Sequence, residues 1–271
     1  YNKEIFDEAG IEYVNENSNW KEYIAAAKKL TEYDAQGNVD VAGISLRKTG
    51  HEEGMYSKFT SFLYSSAESG GDVPNLISED LEKVAIGDSP AAQEAMQLYY
   101  DILFTWKLDS VDVQGDAAGF ANGRCAMFNR GTWVPGFIAK NAPDLKYGST
   151  NIAKNKRSAT VGSIYPFLVT KATKDKEATW KFIKWATEDP QYLQWAIEAG
   201  EYPMTRNVAL NPRWSEDPIY QTFLKQPYVH MTPELGPIYQ IRSVVGRYIE
   251  QVCYGKLLPN QALLEAQKEA Q

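Results

Sequence analysis

Apolar residues recur at helical spacing along much of the chain. The stretch NWKEYIAAAKKL (19–30) puts Trp20, Tyr23, Ile24, Ala27 and Leu30 on one face, and Asn19 with Glu22 has the spacing of a capping box. A shorter helix is predicted over Lys3–Glu8, entered from an extended Tyr1–Asn2 and stopped by Gly10. After a Gly-containing turn, DAQGN, the apolar run GISL (43–46) reads as a strand. An aromatic helix over 54–67 carries Phe59, Phe62 and Leu63, and SGGD ends it. The next helix has Ser89 as its cap and Pro90 in its first turn, with a stripe of Ala92, Met96, Tyr99, Leu103 and Trp106.

Residues 116–133, DAAGFANGRCAMFNRGTW, predict a short helix stopped by Gly123, a strand Arg124–Asn129 and a tight turn into Trp133. A strand is predicted over 161–171, with an edge or kink at Pro166. Two helices then meet at Asp189–Pro190, the second closed by Gly200. A Pro-rich loop runs to Pro237, followed by Ile238–Tyr254, stopped by Gly255, and a last helix from about Pro259. Trp20, Trp106, Trp180 and Trp185 sit on helical stripes and are expected in the core. Strands alternating with helices predict α/β layering on a mostly parallel sheet.

A chain of 271 residues suffices for one large or two ordinary domains, and its apolar runs fall well short of a membrane span. The net charge of −7, with no Lys/Arg cluster, argues against a nucleic-acid partner. Cys125 and Cys253 stand 128 positions apart, with His51 and His230 the only histidines, so no spacing suggests a metal or cofactor. The cysteines read as buried thiols, or as one long-range disulfide if the protein is exported. Seven Trp and 17 Tyr fit either a well-packed core or a ring-lined cleft that stacks on sugars.

In order, YNKEIFDEAGI, NWKEYIAAAKKL, FTSFLYSSAESGG, FANGRCAMFNRGTW, VGSIYPFLVTKATKDKEATWKFIKWAT, AGEYPMTRN and IRSVVGRYIEQVCYGKLLPNQALLEAQ resemble the sugar-type solute-binding proteins of ABC importers, the family of the maltose-binding protein. The chain departs from that pattern where Asn19 replaces a Thr and Ser163 a Gly, and in lacking the portion that precedes YNK in relatives.

The resemblance implies an α/β, two-lobed periplasmic-binding-protein type II fold, truncated, with mostly the second lobe present. Residues 4–163 and 212–271 would form that lobe, 164–211 a remnant of the first, and 1–3 the first crossing between lobes. The implied function is reversible capture of a mono- or oligosaccharide between the lobes and delivery to membrane permease subunits. The implied location is the periplasm or cell surface, with a lipid anchor in the full-length protein.

The implied ligand contacts begin with Trp133, which stacks on sugar in the family; otherwise it is a core residue capping the next helix. Gly131 would permit close backbone approach, and Arg130 would either fork onto hydroxyls or an acid group or stand solvated. Ser163 and Tyr165 follow the second crossing. Tyr239 and Arg242 share a face at i, i+3. Tyr56 and Glu68 come from the aromatic helix and the turn after it. Two other readings stay open: a glycan-processing enzyme built on a carboxylate pair, for which Glu52/Glu53 and Glu79/Asp80 read as solvated, and a scaffold domain that no longer binds ligand.

Overall fold

The computed structural model describes residues 1–67, 78, 82–162, 166–203, 205–227, 229–231 and 236–271. The chain opens with α1 (Lys3–Glu8), capped by the Asn2 side chain, and α2 (Trp20–Leu30), where Asn19 and Glu22 form the expected reciprocal capping box. A hairpin of β1 (Glu32–Tyr33) and β2 (Val39–Val41) surrounds the DAQGN turn. The aromatic helix is α3 (Glu52–Ser66), and α4 (Pro90–Tyr100) begins at the Ser89 cap with Pro90 in its first turn, running into a π-helical turn at Asp101–Thr105.

Then come α5 (Asp116–Ala121), α6 (Val134–Asn141), β3 (Thr160–Gly162), α7 (Lys176–Ala186) and α8 (Asp189–Ala199), the last closed by Gly200 at φ +69°. The segment expected as a Pro-rich loop instead contains α9 (Arg206–Ala209), α10 (Pro212–Ser215), α11 (Pro218–Leu224) and β4 (Val229–Met231). Pro212 and Pro218 lie in first helical turns, where a missing N–H costs nothing. The chain ends in α12 (Gly236–Cys253) and α13 (Pro259–Ala270).

Regular strand is scarcer than the alternation predicts. β3 pairs in parallel with β4, and the stretch 42–45 runs parallel to 125–128 through single bridges, Ala42 to Cys125 and Ser45 to Phe128. Asn2 donates its N–H to the Ala126 carbonyl on one side of that ladder, and Gly43 donates to Leu108 on the other. The strand predicted over 161–171 is corrected in its described part: Thr160–Gly162 is strand, and 166–170 carries none. Pro166 lacks a ladder donor, and Phe167 and Leu168 are exposed.

The main core lies among α2, α3, α4, α12 and α13. Phe59, Phe62 and Tyr99 meet edge-on at 5.1–5.5 Å between centroids. Gly246 permits the tightest helix contact: a Cβ there would stand 1.9 Å from the Glu52 carbonyl oxygen, so α12 crosses the first turn of α3 at backbone distance. A second, smaller core holds Ala42, Phe120, Cys125, Val134 and Ile138. A third joins Ala196 and Val208 to Trp214 and Tyr220.

Trp180 and Trp185, expected in the core, are 59% and 52% exposed, and α7 buries no residue. Amphipathic spacing gave the helix and its apolar face, but no other described element covers that face. Trp20 and Trp106 pack against the main core as expected. Cys125 and Cys253 are buried free thiols, so the disulfide alternative fails. Among the described residues no helix is long and apolar enough to cross a membrane.

Candidate functional site

Segment 42–48 positions one wall of the site. Its apolar half sits in the ladder, and its polar half is pinned by a buried ion pair. Lys48 Nζ lies 2.6 Å from Asp109 Oδ1, with both side chains almost fully buried, and also donates to the Val113 carbonyl. Asp109 accepts further N–H groups from Leu46 and Ser110, and burial raises its carboxyl above the usual range against the pull of Lys48. With Lys48 held beneath, Arg47 turns the other way. Its guanidinium lies over Gly54 at the start of α3, and its Nη1 is 3.2 Å from Asp116 Oδ2.

Asp116 opens α5 in the left-handed region, at φ +62°, a conformation Asp tolerates better than most residues. Its carboxylate therefore faces the turn that follows the 124–128 ladder. Arg130 forks onto it through Nε and Nη2, the second bond being 2.6 Å. The predicted alternative of a solvated Arg130 is corrected: its side chain is 14% exposed and bound to this carboxylate.

The Arg130 guanidinium also lies over the Trp133 ring, 5.0 Å from its centroid, while Phe137 meets that ring edge-on at 5.7 Å. Trp133 stands at the N-cap of α6, half-buried, with no side-chain cap bond. A Cβ at Gly131 would come within 3.3 Å of the Trp133 ring, so glycine lets the turn close beneath the indole. On the far side, Thr132 donates to Glu201, and Gly136 abuts Gly200 at the end of α8.

α3 supplies the other wall. Lys58 sits one turn beyond Gly54, and burial, with Arg130 and Arg47 nearby, lowers its ammonium to a pKa of about 8. Tyr56 is buried, which raises its phenol to about 12, partly offset by Arg242. Arg242 is buried and lies 3.7 Å from Glu53. Glu53, read from sequence as solvated, is thus half-buried and paired. Tyr239 and Arg242 do not share an environment: one is 46% exposed, the other 3%, because the 60° offset of i, i+3 turns one outward and the other onto α3.

The structure therefore brings together Arg130, Gly131 and Trp133, while Tyr56 and Arg242 lie within electrostatic reach of each other and Arg242 pairs with Glu53. Glu68, Ser163 and Tyr165 lie outside the described residues. Sequence reading missed Arg47, Lys58 and Asp116. Lys58 had a signal, the one charge inside the aromatic-rich run Met55 to Phe62; Asp116, whose backbone turn directs it, had none. A separate open groove of about 570 Å³ between α6 and α10–α11 contains none of the predicted site residues. No group of three or more potential ligands for a metal occurs among the described residues.

The sequence profile of the bacterial extracellular solute-binding proteins matches residues 1–222. The maltotriose-binding protein of Pyrococcus abyssi is 23% identical over 166 residues, 56% of this chain and 36% of that one. A putative binding protein of Brucella abortus is 22% identical over the whole chain and 64% of its own length. The chain thus spans less than two thirds of these curated relatives. Among solved structures, an ABC transporter solute-binding protein of Thermotoga lettingae bound with α-D-tagatose superposes with a TM-score of 0.82 at 25% identity, covering all of this chain and 68% of that one. The maltose-bound MalE3 of T. maritima gives 0.74 at 21%, again over all of this chain and 68% of that one. The fold is that of the two-lobed periplasmic binding proteins, with this chain matching about two thirds of it. The chain belongs to the bacterial extracellular solute-binding protein family.

Proposed function

We propose that this protein is the extracytoplasmic binding component of a carbohydrate ABC importer, which captures a mono- or oligosaccharide reversibly and hands it to membrane permease subunits. The observation that carries this reading is the Trp133 turn. A half-buried indole, backed by Arg130 and Phe137, stands at a ladder-to-helix junction where open α/β folds receive ligands. Aromatic faces of this kind stack on the C–H faces of sugar rings, while flanking charged groups bond hydroxyls. Exposed Tyr239 would meet the ligand on the α12 side, with Ser163, Tyr165 and Glu68 completing its contacts, while Arg242, buried onto α3, would hold Glu53.

In this reading residues 4–163 and 212–271 are the second lobe, 164–211 belongs to the first, and 1–3 and 163–164 are crossings about which the lobes close. The protein works outside the cytoplasm, in the periplasm or tethered to the surface by lipid. It is a binder: the two carboxylates of the site, Asp116 and Glu53, are each engaged by guanidinium groups, unlike the free acid and base of a glycosidase.

Calorimetric titration against a carbohydrate panel, with products followed by chromatography, tests this. Binding of a saccharide without turnover is expected. Turnover of any glycan would show an enzyme instead, and no response to any saccharide would favour the ligand-free scaffold.

A further inference from the structure

Among the described residues, the cations on the Arg47–Arg130 side of Trp133 outnumber the carboxylates there. Arg47 and Arg130 both bind one carboxylate, Asp116, and Lys58, one turn along α3 from the Gly54 that the Arg47 guanidinium covers, lies within electrostatic reach of all three, in a chain whose net charge is −7. Asp116 is shared by two guanidinium groups, and the second carboxylate in reach, Glu53, faces Arg242. Lys58 has no hydrogen bond or ion pair among the described residues, and Arg47 Nε is buried without a hydrogen-bond partner. Burial and the two neighbouring arginines both lower the Lys58 ammonium, more than Asp116 and Glu53 support it. Partly buried cations that cluster with too few counter-charges disfavour one another, and an anion seated among them removes that penalty. A neutral sugar would leave it in place.

We propose that the captured saccharide carries an oxyanion, seated between Arg47, Lys58 and Arg130, with an adjoining ring on Trp133. The inference rests on the sugar-capture reading and names its substrate class. A uronate carboxylate, a sulfate ester and a phosphate ester share the required chemistry: a compact, multi-oxygen acceptor for guanidinium and ammonium donors.

Matched pairs separate the cases. Galacturonate and glucuronate, and their short oligosaccharides, are titrated beside galactose, glucose and the corresponding neutral oligosaccharides; sulfated and phosphorylated hexoses form further arms and identify which oxyanion is preferred. The expected result is that an acidic member binds about tenfold or more tightly than its neutral counterpart at low salt, with the preference shrinking as salt is added. Lys58→Met, checked for folding by its thermal melt, should lose that preference, and Lys58→Gln should behave alike if charge rather than shape is responsible. Neutral sugars binding as tightly as acidic ones would overturn the inference while leaving sugar capture intact. An undiminished acidic preference in both Lys58 variants would overturn the proposed seat. No binding by any saccharide would remove the capture reading itself.

Discussion

The stripes of α12 and α7 read alike in sequence, yet they meet opposite surroundings. On α12, Val245, Ile249 and Val252 are fully buried against α3 and α13, and Gly246 lets the backbone of α3 approach. On α7, Trp180, Phe182 and Trp185 are each more than half exposed, and Trp195 of α8 and Leu168 just before α7 are exposed as well. Amphipathic spacing tells which face of a helix is apolar; it does not tell what covers that face. The first region is a core in which volume and polar pairing decide stability. The second leaves aromatic side chains exposed, where a substitution changes little packing.

Truncating the buried aromatic cluster should have the largest effect. Phe59→Ala is expected to cost about 3–5 kcal/mol in chemical denaturation, because the cavity among Phe62, Tyr99 and α12 has little freedom to collapse. Asp109→Ala should cost a similar amount, about 3–5 kcal/mol, by leaving the Lys48 ammonium buried and unpaired; a loss below 1 kcal/mol would mean the pair is not buried in solution. Gly246→Ala is expected to cost about 1–3 kcal/mol through overpacking against Glu52.

Lys58→Met should act in the opposite direction. The Lys58 pKa falls from 10.5 to about 8 on folding, so below pH 8 both states are protonated and folding bears the cost of holding the charge. Between about pH 8 and 10.5 the unfolded chain binds more protons, and wild-type stability rises with pH. The variant is therefore expected to be more stable by about 1–3 kcal/mol at pH 7, an advantage that fades by pH 10.5. A pH-independent difference would contradict the assigned cause. The smallest folding effect belongs to the exposed region. Trp180→Ser and Trp185→Ser should each change stability by less than about 0.5 kcal/mol while reducing binding of an apolar dye. A larger destabilisation would show that the face is covered in solution.

Local features are legible in the sequence, and pairings made only by packing are not. Caps and stops are local events, so Asn19 with Glu22, Ser89 with Pro90, and Gly200 were legible one by one. The Arg130–Trp133 turn was legible because it follows an apolar ladder segment within a few residues. The Lys48–Asp109 pair and the Arg47–Asp116–Arg130 triad were not, since their members are separated by 61, 69 and 14 positions and meet only through packing. Arg242 was seen as a candidate, but its partner Glu53 was not, because an acidic residue in a first helical turn ordinarily serves the helix end.

Trp133 is the centre of the proposed site. Titration of the Trp133→Ala protein with the tightest-binding saccharide of the panel tests it most directly. The ring-stacking site predicts a loss of affinity of about tenfold or more, corresponding to about 1–3 kcal/mol for one aromatic platform, with the thermal melt little changed. A variant that binds that saccharide as tightly as the wild type would contradict the site assigned here.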